Sequence, residues 1–254
     1  MLKKLGSVYN SEDFIREYIN SQSRDPRHLY LDKPAMHKAI PNLNGKAVLA
    51  IGCGDGIELN YLKKKGADKV VGIDSSKYMV ARSKLNAPWA EIHKMSASNL
   101  DFKVESFDFV YSDLAIHYVR DIGKVFSEVY KILKKDGIFL FSTTHPIEDT
   151  LKEVKLSKHR KLKILGYRKI DGKINKVYGD YFTPRQIKNR WWKKNEVVIY
   201  YTPLPDIINE AIRAGFRIQQ VLEPKPVDTM KRAYPNLYKR MSKIPFIIIF
   251  KLKK

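Results

Sequence analysis

Short apolar runs alternate with longer segments of helical periodicity along most of this chain of 254 residues. Short apolar runs are typical of buried strands, whereas apolar positions repeating at i, i+3 and i+4 are typical of helices that pack on a sheet. The runs predict strands at residues 47–51, 69–73, 90–93, 107–111, 138–143, 197–201, 216–222 and 245–252. The periodic segments predict helices at residues 56–65, 76–85, 121–134 and 205–214. This alternation indicates an α/β fold with a doubly wound, mostly parallel sheet.

Two helices are also predicted before the first strand. Ser11 is a favourable N-cap for a helix whose apolar positions include Phe14 and Tyr18. Asp25-Pro26 should end this helix, and Pro34 should open a second, short one. We expect residues 1–42 to form a helical cap on a single domain that comprises residues 1–254.

The alternation stops after His145-Pro146 and resumes near residue 197. The segment between, residues 147–195, is basic and rich in aromatic side chains. Long connections in compact domains commonly carry binding residues. We therefore expect an insertion here that covers the substrate side of the sheet.

Most of the net charge of +21 lies in the last part of the chain. Residues 1–150 contain 22 Lys and Arg against 19 Asp and Glu, whereas residues 151–254 contain 26 against 8. One interpretation is an electropositive surface for an anionic substrate, RNA or membrane phosphates. The other is a lysine-rich composition spread over solvated faces, since Lys outnumbers Arg by 35 to 13.

The single cysteine, Cys53, allows no intramolecular disulfide, which agrees with a reducing compartment. We see no signal peptide in the first residues, and the apolar run at 245–250 is too short to span a bilayer. We expect a soluble, cytoplasmic protein.

The strongest indication of a binding site is a predicted strand that is followed by alternating glycines. After the predicted strand 47–51, glycines alternate at Gly52, Gly54 and Gly56, and a helix follows. Such glycines allow a tight turn, leave no Cβ between backbone and ligand, and precede free helical N–H groups. Asp74 ends the next strand, where a carboxylate can accept both hydroxyls of a ribose. The two features together predict a site for an adenosine-containing cofactor at the carboxyl ends of the strands.

The motifs at residues 48–56, 71–75, 95–100, 107–118 and 132–137 resemble those of class I S-adenosylmethionine-dependent methyltransferases. The resemblance is nearest to the small-molecule group that includes the ubiquinone and menaquinone biosynthesis enzymes. It implies a seven-stranded Rossmann-like sheet and S-adenosylmethionine as cofactor, with S-adenosylhomocysteine as product. The chain departs from the family pattern at Ala50 and Ser96, where the family usually has carboxylates. The implied cofactor-binding residues are Tyr30, Ile51, Gly52, Cys53, Gly54, Gly56, Asp74, Ser75, Met79, Ser96, Ala97, Ser112, Asp113 and Leu114.

Methyl transfer requires proximity, orientation and, for an acceptor that carries a proton, a base. His117 and His145 follow the fourth and fifth predicted strands, so either is a candidate base or a packing residue. Candidate substrate contacts are His117, Tyr118, Tyr181, Trp191 and Trp192, although the tryptophans and Tyr181 also suit a small core of the insertion. No metal is predicted, because one cysteine excludes a thiolate zinc cluster and the histidines lack partners at ligand spacing.

Three functions are consistent with these observations. The first is methyl transfer to a small organic acceptor, anionic if the basic insertion covers it. The second is an RNA methyltransferase that uses the basic surface of residues 151–195. The third is a protein that binds S-adenosylmethionine without catalysing transfer.

Overall fold

The computed structural model describes residues 11–191 and 195–254. Its strands are β1 Ala47–Ile51, β2 Lys69–Asp74, β3 Glu91–Lys94, β4 Phe107–Ser112, β5 Leu133–Thr144, β6 Lys152–Lys155, β7 Lys161–Ile164, β8 Gly166–Ile170, β9 Lys173–Tyr178, β10 Arg185–Trp191, β11 Asn195–Tyr201, β12 Arg217–Leu222 and β13 Ile247–Lys253. Its α-helices are α1 Glu12–Gln22, α2 Lys33–Ala39, α3 Ile57–Lys64, α4 Lys77–Asn86, α5 Ile122–Ile132, α6 Pro146–Thr150, α7 Leu204–Arg213, α8 Thr229–Ala233 and α9 Pro235–Met241.

A seven-stranded sheet in the order β12-β13-β5-β4-β1-β2-β3 forms the centre of the molecule. Strands β1 to β5 pair in parallel, and β13 pairs antiparallel with both β5 and β12. The central strands are apolar on both faces because helices cover both, as in other parallel sheets. The predicted α/β fold with a doubly wound, mostly parallel sheet of seven strands is confirmed.

One predicted strand lies outside this sheet. The run at 197–201 is strand β11, which pairs antiparallel with β10 from Arg185↔Tyr201 to Trp191↔Asn195. Its buried residues Val197 and Ile199 pack with Phe14 and Ile15 of α1. An apolar run thus predicts a strand but not the sheet to which that strand belongs.

Helix α5 ends at Ile132, two residues before the predicted end. Leu133 already pairs with Phe107 of β4, and the register then shifts before Phe109 pairs with Ile138. Asp136, at φ +62°, lies in this irregular stretch directly before Gly137. Asp136 and Gly137 therefore lie in an irregularity within strand β5, and no separate connection joins α5 to β5.

The prediction that Pro34 begins a new helix is correct only in part. Pro34 is the second residue of α2, but α2 continues directly from a π-helical turn over His28–Asp32. Proline has no N–H to donate back along a helix. The carbonyl of Tyr30 instead accepts from the amide of Val227, at 2.8 Å. The wider turn thus carries the chain past Pro34 without breaking the helix.

The segment 147–195 contains α6, the hairpins β6–β7 and β8–β9, and strand β10. Most side chains of the two hairpins are exposed to solvent.

Helices α8 and α9, which sequence periodicity did not predict, bury Met230 and Met241 in the core beside α2. Within the described ranges, no helix is both long and apolar enough to cross a bilayer.

Candidate functional site

The turn after β1 has the backbone conformation that its glycines suggested. Gly52, Gly54 and Gly56 have φ values of +66°, +56° and +84°, which L side chains rarely adopt. A Cβ on Gly52 would lie 2.3 Å from the Cβ of Ala115, so this position tolerates only glycine. A Cβ on Gly54 would meet nothing within 4 Å, and Gly54 lines the cavities described below. A side chain there would occupy space that a ligand needs.

Asp74 connects this turn to the end of β2. Its Oδ2 accepts from the amide of Gly54 at 3.1 Å, and its Oδ1 accepts from the amide of Ser76 at 2.8 Å. Burial raises the pKa of this carboxyl, against the hydrogen bonds from these amides. Each carboxylate oxygen retains a lone pair for a further donor, such as a ribose hydroxyl.

Two adjacent cavities open at the carboxyl ends of the parallel strands. The adenosine-side cavity has a volume of about 440 Å³ and is lined by Asp74, Ser75, Met95, Ser96 and Ala97, among others. The acceptor-side cavity has a volume of about 340 Å³. The residues that line both cavities are Tyr18, Ile51, Gly52, Gly54, Met79, Asp113, Leu114 and Tyr118. Both volumes are in the range of small-molecule sites.

Segments distant in sequence complete these walls. Tyr18 of α1 lines both cavities, and residues of the π-helical turn, including His28 and Asp32, line the acceptor side. Val197 and Tyr200 of β11 line the adenosine side. Sequence reasoning missed these residues as site candidates; the only local signal was the apolar face of α1.

Several residues implied by the family resemblance are not in the walls of these two cavities. Tyr30 packs edge-on against Tyr234, and Gly56 is pressed against Ser83, where a Cβ would lie 2.5 Å from Oγ. Ser112 is fully buried in β4. Cys53 does line the acceptor side, but burial raises the pKa of its thiol to about 12, so it stays protonated.

The aromatic residues predicted to contact substrate are also dispersed. Tyr118 lines both cavities. Tyr181 is in neither wall; its carbonyl accepts from the hydroxyl of Tyr201 at 2.6 Å. Trp191 ends β10, and Trp192 lies outside the described residues.

Of the two candidate bases, only His117 reaches the site. His117 lines the acceptor-side cavity, with its Nδ1 3.5 Å from Oγ1 of Thr143. Burial lowers its pKa to about 4. His145 caps α6: its Nδ1 accepts from the amide of Ile147 at 3.1 Å, so its Nε2 donates to Glu223, at 2.9 Å. Both nitrogens of His145 are therefore engaged away from the cavities.

A buried polar chain forms part of the acceptor-side wall. His28 Nδ1 lies 2.6 Å from Oδ2 of Asp32, and the hydroxyl of Ser142 donates to Oδ1 of Asp113 at 2.6 Å. One carboxyl oxygen of Asp32 lies within 4.8 Å of one of Asp113, and Oδ1 of Asp32 is buried with no other donor among the described residues. Burial raises the pKa of Asp32 to about 7, and burial together with the charge of Asp32 raises the pKa of Asp113 well above its ordinary value.

One side-chain atom each of His28, Asp32 and Asp113 lies within 4.8 Å of the others, a spacing that also suits a cation. The 2.6 Å hydrogen bond, however, already joins His28 Nδ1 to Asp32 Oδ2. Sequence spacing could not reveal this cluster, because Asp113 is far along the chain from the other two residues.

The other charges on this wall are largely paired. Glu58 contacts Lys33 at 3.2 Å and His37 at 2.7 Å, and Asp25 is bonded to Arg27. Burial of Glu58 opposes ionisation, but His37 and Lys33 together lower its pKa.

The open space at Gly54 and the carboxylate of Asp74 fit the methionine and ribose parts of S-adenosylmethionine. The glycine turn at the end of β1 and the seven-stranded sheet agree with the resemblance to class I methyltransferases. The comparisons with known proteins agree: residues 49–141 match the family model described as a methyltransferase domain. Residues 49–141 therefore form a methyltransferase domain, and the fold of the chain is similar to that of S-adenosylmethionine-dependent methyltransferases.

Three similar proteins illustrate the extent of the likeness. An S-adenosylmethionine-dependent methyltransferase from Mesorhizobium loti superposes with a TM-score of 0.74 and 26% identity, over 92% of this chain and 100% of that one. An uncharacterized protein of Haemophilus influenzae is 28% identical over 98% of this chain and 97% of its own length. A malonyl-[acyl-carrier protein] O-methyltransferase of Methylovorus is 31% identical over 52% of this chain, which spans only 46% of that relative.

Proposed function

We propose that this protein transfers the methyl group of S-adenosylmethionine to a small organic acceptor bound in the acceptor-side cavity. The observation that carries the proposal is the adjacency of the two cavities, which share Gly52, Gly54, Asp113 and Leu114. The cofactor supplies a methyl group on a positively charged sulfur, which becomes neutral on transfer. Gly52 and Gly54 hold it through backbone groups and Asp74 through the ribose. The second cavity holds the acceptor close to the methyl group, which provides the proximity that this reaction needs.

We further propose that the acceptor is neutral or cationic. The expectation of an anionic acceptor depended on the basic insertion, but no described residue of β6 to β9 lines the cavities. With Glu58 and Asp25 paired with cations, the acceptor-side wall keeps acidic groups at Asp55 and at Asp32, whose partner is the imidazole of His28. An anionic acceptor would be repelled by this wall, whereas a cation or a neutral hydrogen-bond donor would be attracted.

Calorimetry with S-adenosylmethionine and S-adenosylhomocysteine tests the first part of this proposal. We expect both to bind the full chain with one site. In an acceptor screen that detects S-adenosylhomocysteine release, we then expect higher turnover with amines, alcohols or phenols than with carboxylates. Failure of both ligands to bind would refute the assignment of the cavities.

One observation favours RNA as a second candidate acceptor. Residues 152–176 contain ten Lys and Arg against two Asp and Glu, on hairpins whose side chains are mostly exposed. Such a surface would bind phosphates with a steep dependence on salt. RNA binding that weakens sharply between low and moderate salt, together with methylation of that RNA, would support this candidate over the first.

A further inference from the structure

We propose that His28 is the catalytic base of this methyltransferase, that Asp32 and Asp113 position it, and that the acceptor carries an N–H or O–H proton. This inference rests on the proposed function, because it identifies the group that receives the proton of the acceptor. It also replaces His117 and His145, which the sequence suggested for the same role.

The ring of His28 is oriented for this task. Its Nδ1 lies 2.6 Å from Oδ2 of Asp32, whose side chain is 2% exposed. A buried carboxylate at this distance holds the proton on Nδ1, so Nε2 carries the lone pair. His28 lines the acceptor-side cavity, and within the described part of the chain no residue hydrogen-bonds to Nε2. The lone pair is thus available to a bound molecule.

Asp113 favours the ionised form of Asp32. If both carboxyls were ionised, Oδ1 of Asp32 would be a buried acceptor without a donor, since no other described group donates to it. A proton on Asp113 supplies that donor, while the other oxygen of Asp113 accepts from Ser142. A chain of hydrogen bonds therefore runs from Ser142 through Asp113 and Asp32 to His28, and every member has a partner.

The surroundings of His28 keep it neutral and ready to accept a proton. The titratable groups that face it are Asp25, Asp32, Lys33, Glu58 and Asp113. Burial lowers the pKa of His28, and the ionised carboxylates near it oppose this effect. The imidazole is therefore unprotonated at neutral pH, and the acidic groups around it favour the imidazolium that forms.

His117 is a poorer candidate on the same criteria. Its ring is more deeply buried, and burial alone lowers its pKa to about 4. A base is most effective when its pKa is near the working pH, so such a group accepts a proton weakly.

The step balances without another reactant. The N–H or O–H bond of the acceptor breaks, and its proton passes to Nε2 of His28. A lone pair of the acceptor atom forms the bond to the methyl carbon, while the carbon–sulfur bond breaks and its electron pair stays on sulfur. The proton on His28 then leaves to solvent through the open side of the cavity.

The first test compares His28→Gln with His159→Gln, the same change at an exposed histidine of the β6–β7 turn. With an acceptor from the screen, we expect kcat of His28→Gln to fall by about 10²- to 10⁴-fold, the usual contribution of a positioned base. Binding of S-adenosylhomocysteine should remain near the wild-type value in both variants. A loss of less than threefold in kcat for His28→Gln would overturn the proposal.

The second test separates the two carboxyls and needs no acceptor. In Asp32→Asn, the new amide oxygen accepts the proton of Asp113, so the NH₂ group of the same amide faces Nδ1 of His28. Because an NH₂ group can only donate, Nδ1 must then accept, and the proton of the imidazole ring moves to Nε2. In Asp113→Asn, the amide donates to Asp32 as the protonated carboxyl did, and the Nδ1–H tautomer is retained. Nitrogen-15 NMR of the histidine rings distinguishes these tautomers. A wild-type ring with its proton on Nε2 would refute the inference even if cofactor binding and turnover were confirmed.

Kinetics of the same pair distinguish a proton relay from a metal site. We expect Asp32→Asn to lose at least tenfold more kcat than Asp113→Asn. Tight Mn²⁺ binding by the wild type, lost equally in both variants and required for turnover, would overturn the relay. If wild type neither binds S-adenosylhomocysteine nor turns over, the proposed function fails, while the tautomers still report on the His28–Asp32 pair.

Discussion

Asp74 offers the sharpest test of where the adenosine part of the cofactor lies. Its two oxygens each accept one backbone N–H, from Gly54 and Ser76, and each can accept one ribose hydroxyl as well. A hydrogen bond to a charged group contributes about 1.5–3 kcal/mol, so loss of both hydroxyl contacts in Asp74→Ala should cost about 3–6 kcal/mol. Since about 1.4 kcal/mol corresponds to a tenfold change, the Kd for S-adenosylhomocysteine should rise by about 10²- to 10⁴-fold. Isothermal titration calorimetry measures this directly.

Asp74→Asn refines the test, because it preserves the shape of the side chain. The amide keeps one acceptor oxygen, so we expect a rise in Kd of only about 10- to 100-fold. Asp171→Asn is the matched control: it makes the same change in an exposed turn at φ +48°, a conformation that asparagine tolerates. Circular dichroism checks that each variant is folded. Folded Asp74 variants that bind within threefold of wild type would refute the assignment of the adenosine-side cavity.

Two further predictions concern stability. Gly52→Ala should lower the free energy of unfolding by about 1–3 kcal/mol for the strained backbone, and by a further amount for the contact of its Cβ with Ala115. Gly45→Ala is the control, because Gly45 has φ +70° with open space around it and should show only the backbone cost. Equal losses for the two variants in urea unfolding would contradict the steric argument. The free energy of unfolding should fall as pH rises from about 4 to about 7, because burial raises the pKa of Asp32 to about 7 and that of Asp113 well above its ordinary value. The folded state therefore holds protons that the unfolded chain releases. Asp113→Asn should reduce this fall, since an amide has no proton to lose; an unchanged pH dependence in thermal unfolding would argue against protonated Asp113.

Local patterns were sufficient for the central sheet and the glycine turn. The apolar runs that became β1, β2, β4 and β13 are long enough to mark buried strands without any knowledge of their neighbours. The positive φ angles of Gly52, Gly54 and Gly56 follow from the need for a tight strand-to-helix turn. The sequence by itself therefore determined the fold class and the position of the cofactor turn.

The tertiary structure decided which side chains face the cavities. Tyr30 and His28 are two residues apart on one helical turn, and only His28 is in a cavity wall. His145 follows the central strand β5, yet Glu223 and the amide of Ile147 hold its ring away from the site. Periodicity reports that a helix or strand exists, but the direction of a single side chain depends on partners far along the chain.

The chain of Ser142, Asp113, Asp32 and His28 shows this limit most clearly. Ser142 comes from β5, Asp113 follows the end of β4, and Asp32 and His28 lie in a π-helical turn. Neither the apolar periodicity nor the position of Pro34 in the sequence predicts that turn. Burial and the charge of the neighbouring carboxyl together raise the pKa values of two ordinary aspartates, since a charge removed from water must be paired or neutralised. The sequence by itself determined that a methyltransferase fold forms with a glycine turn for its cofactor. The packing of the helical segment at residues 28–32 against the ends of the strands decided which residues face the acceptor.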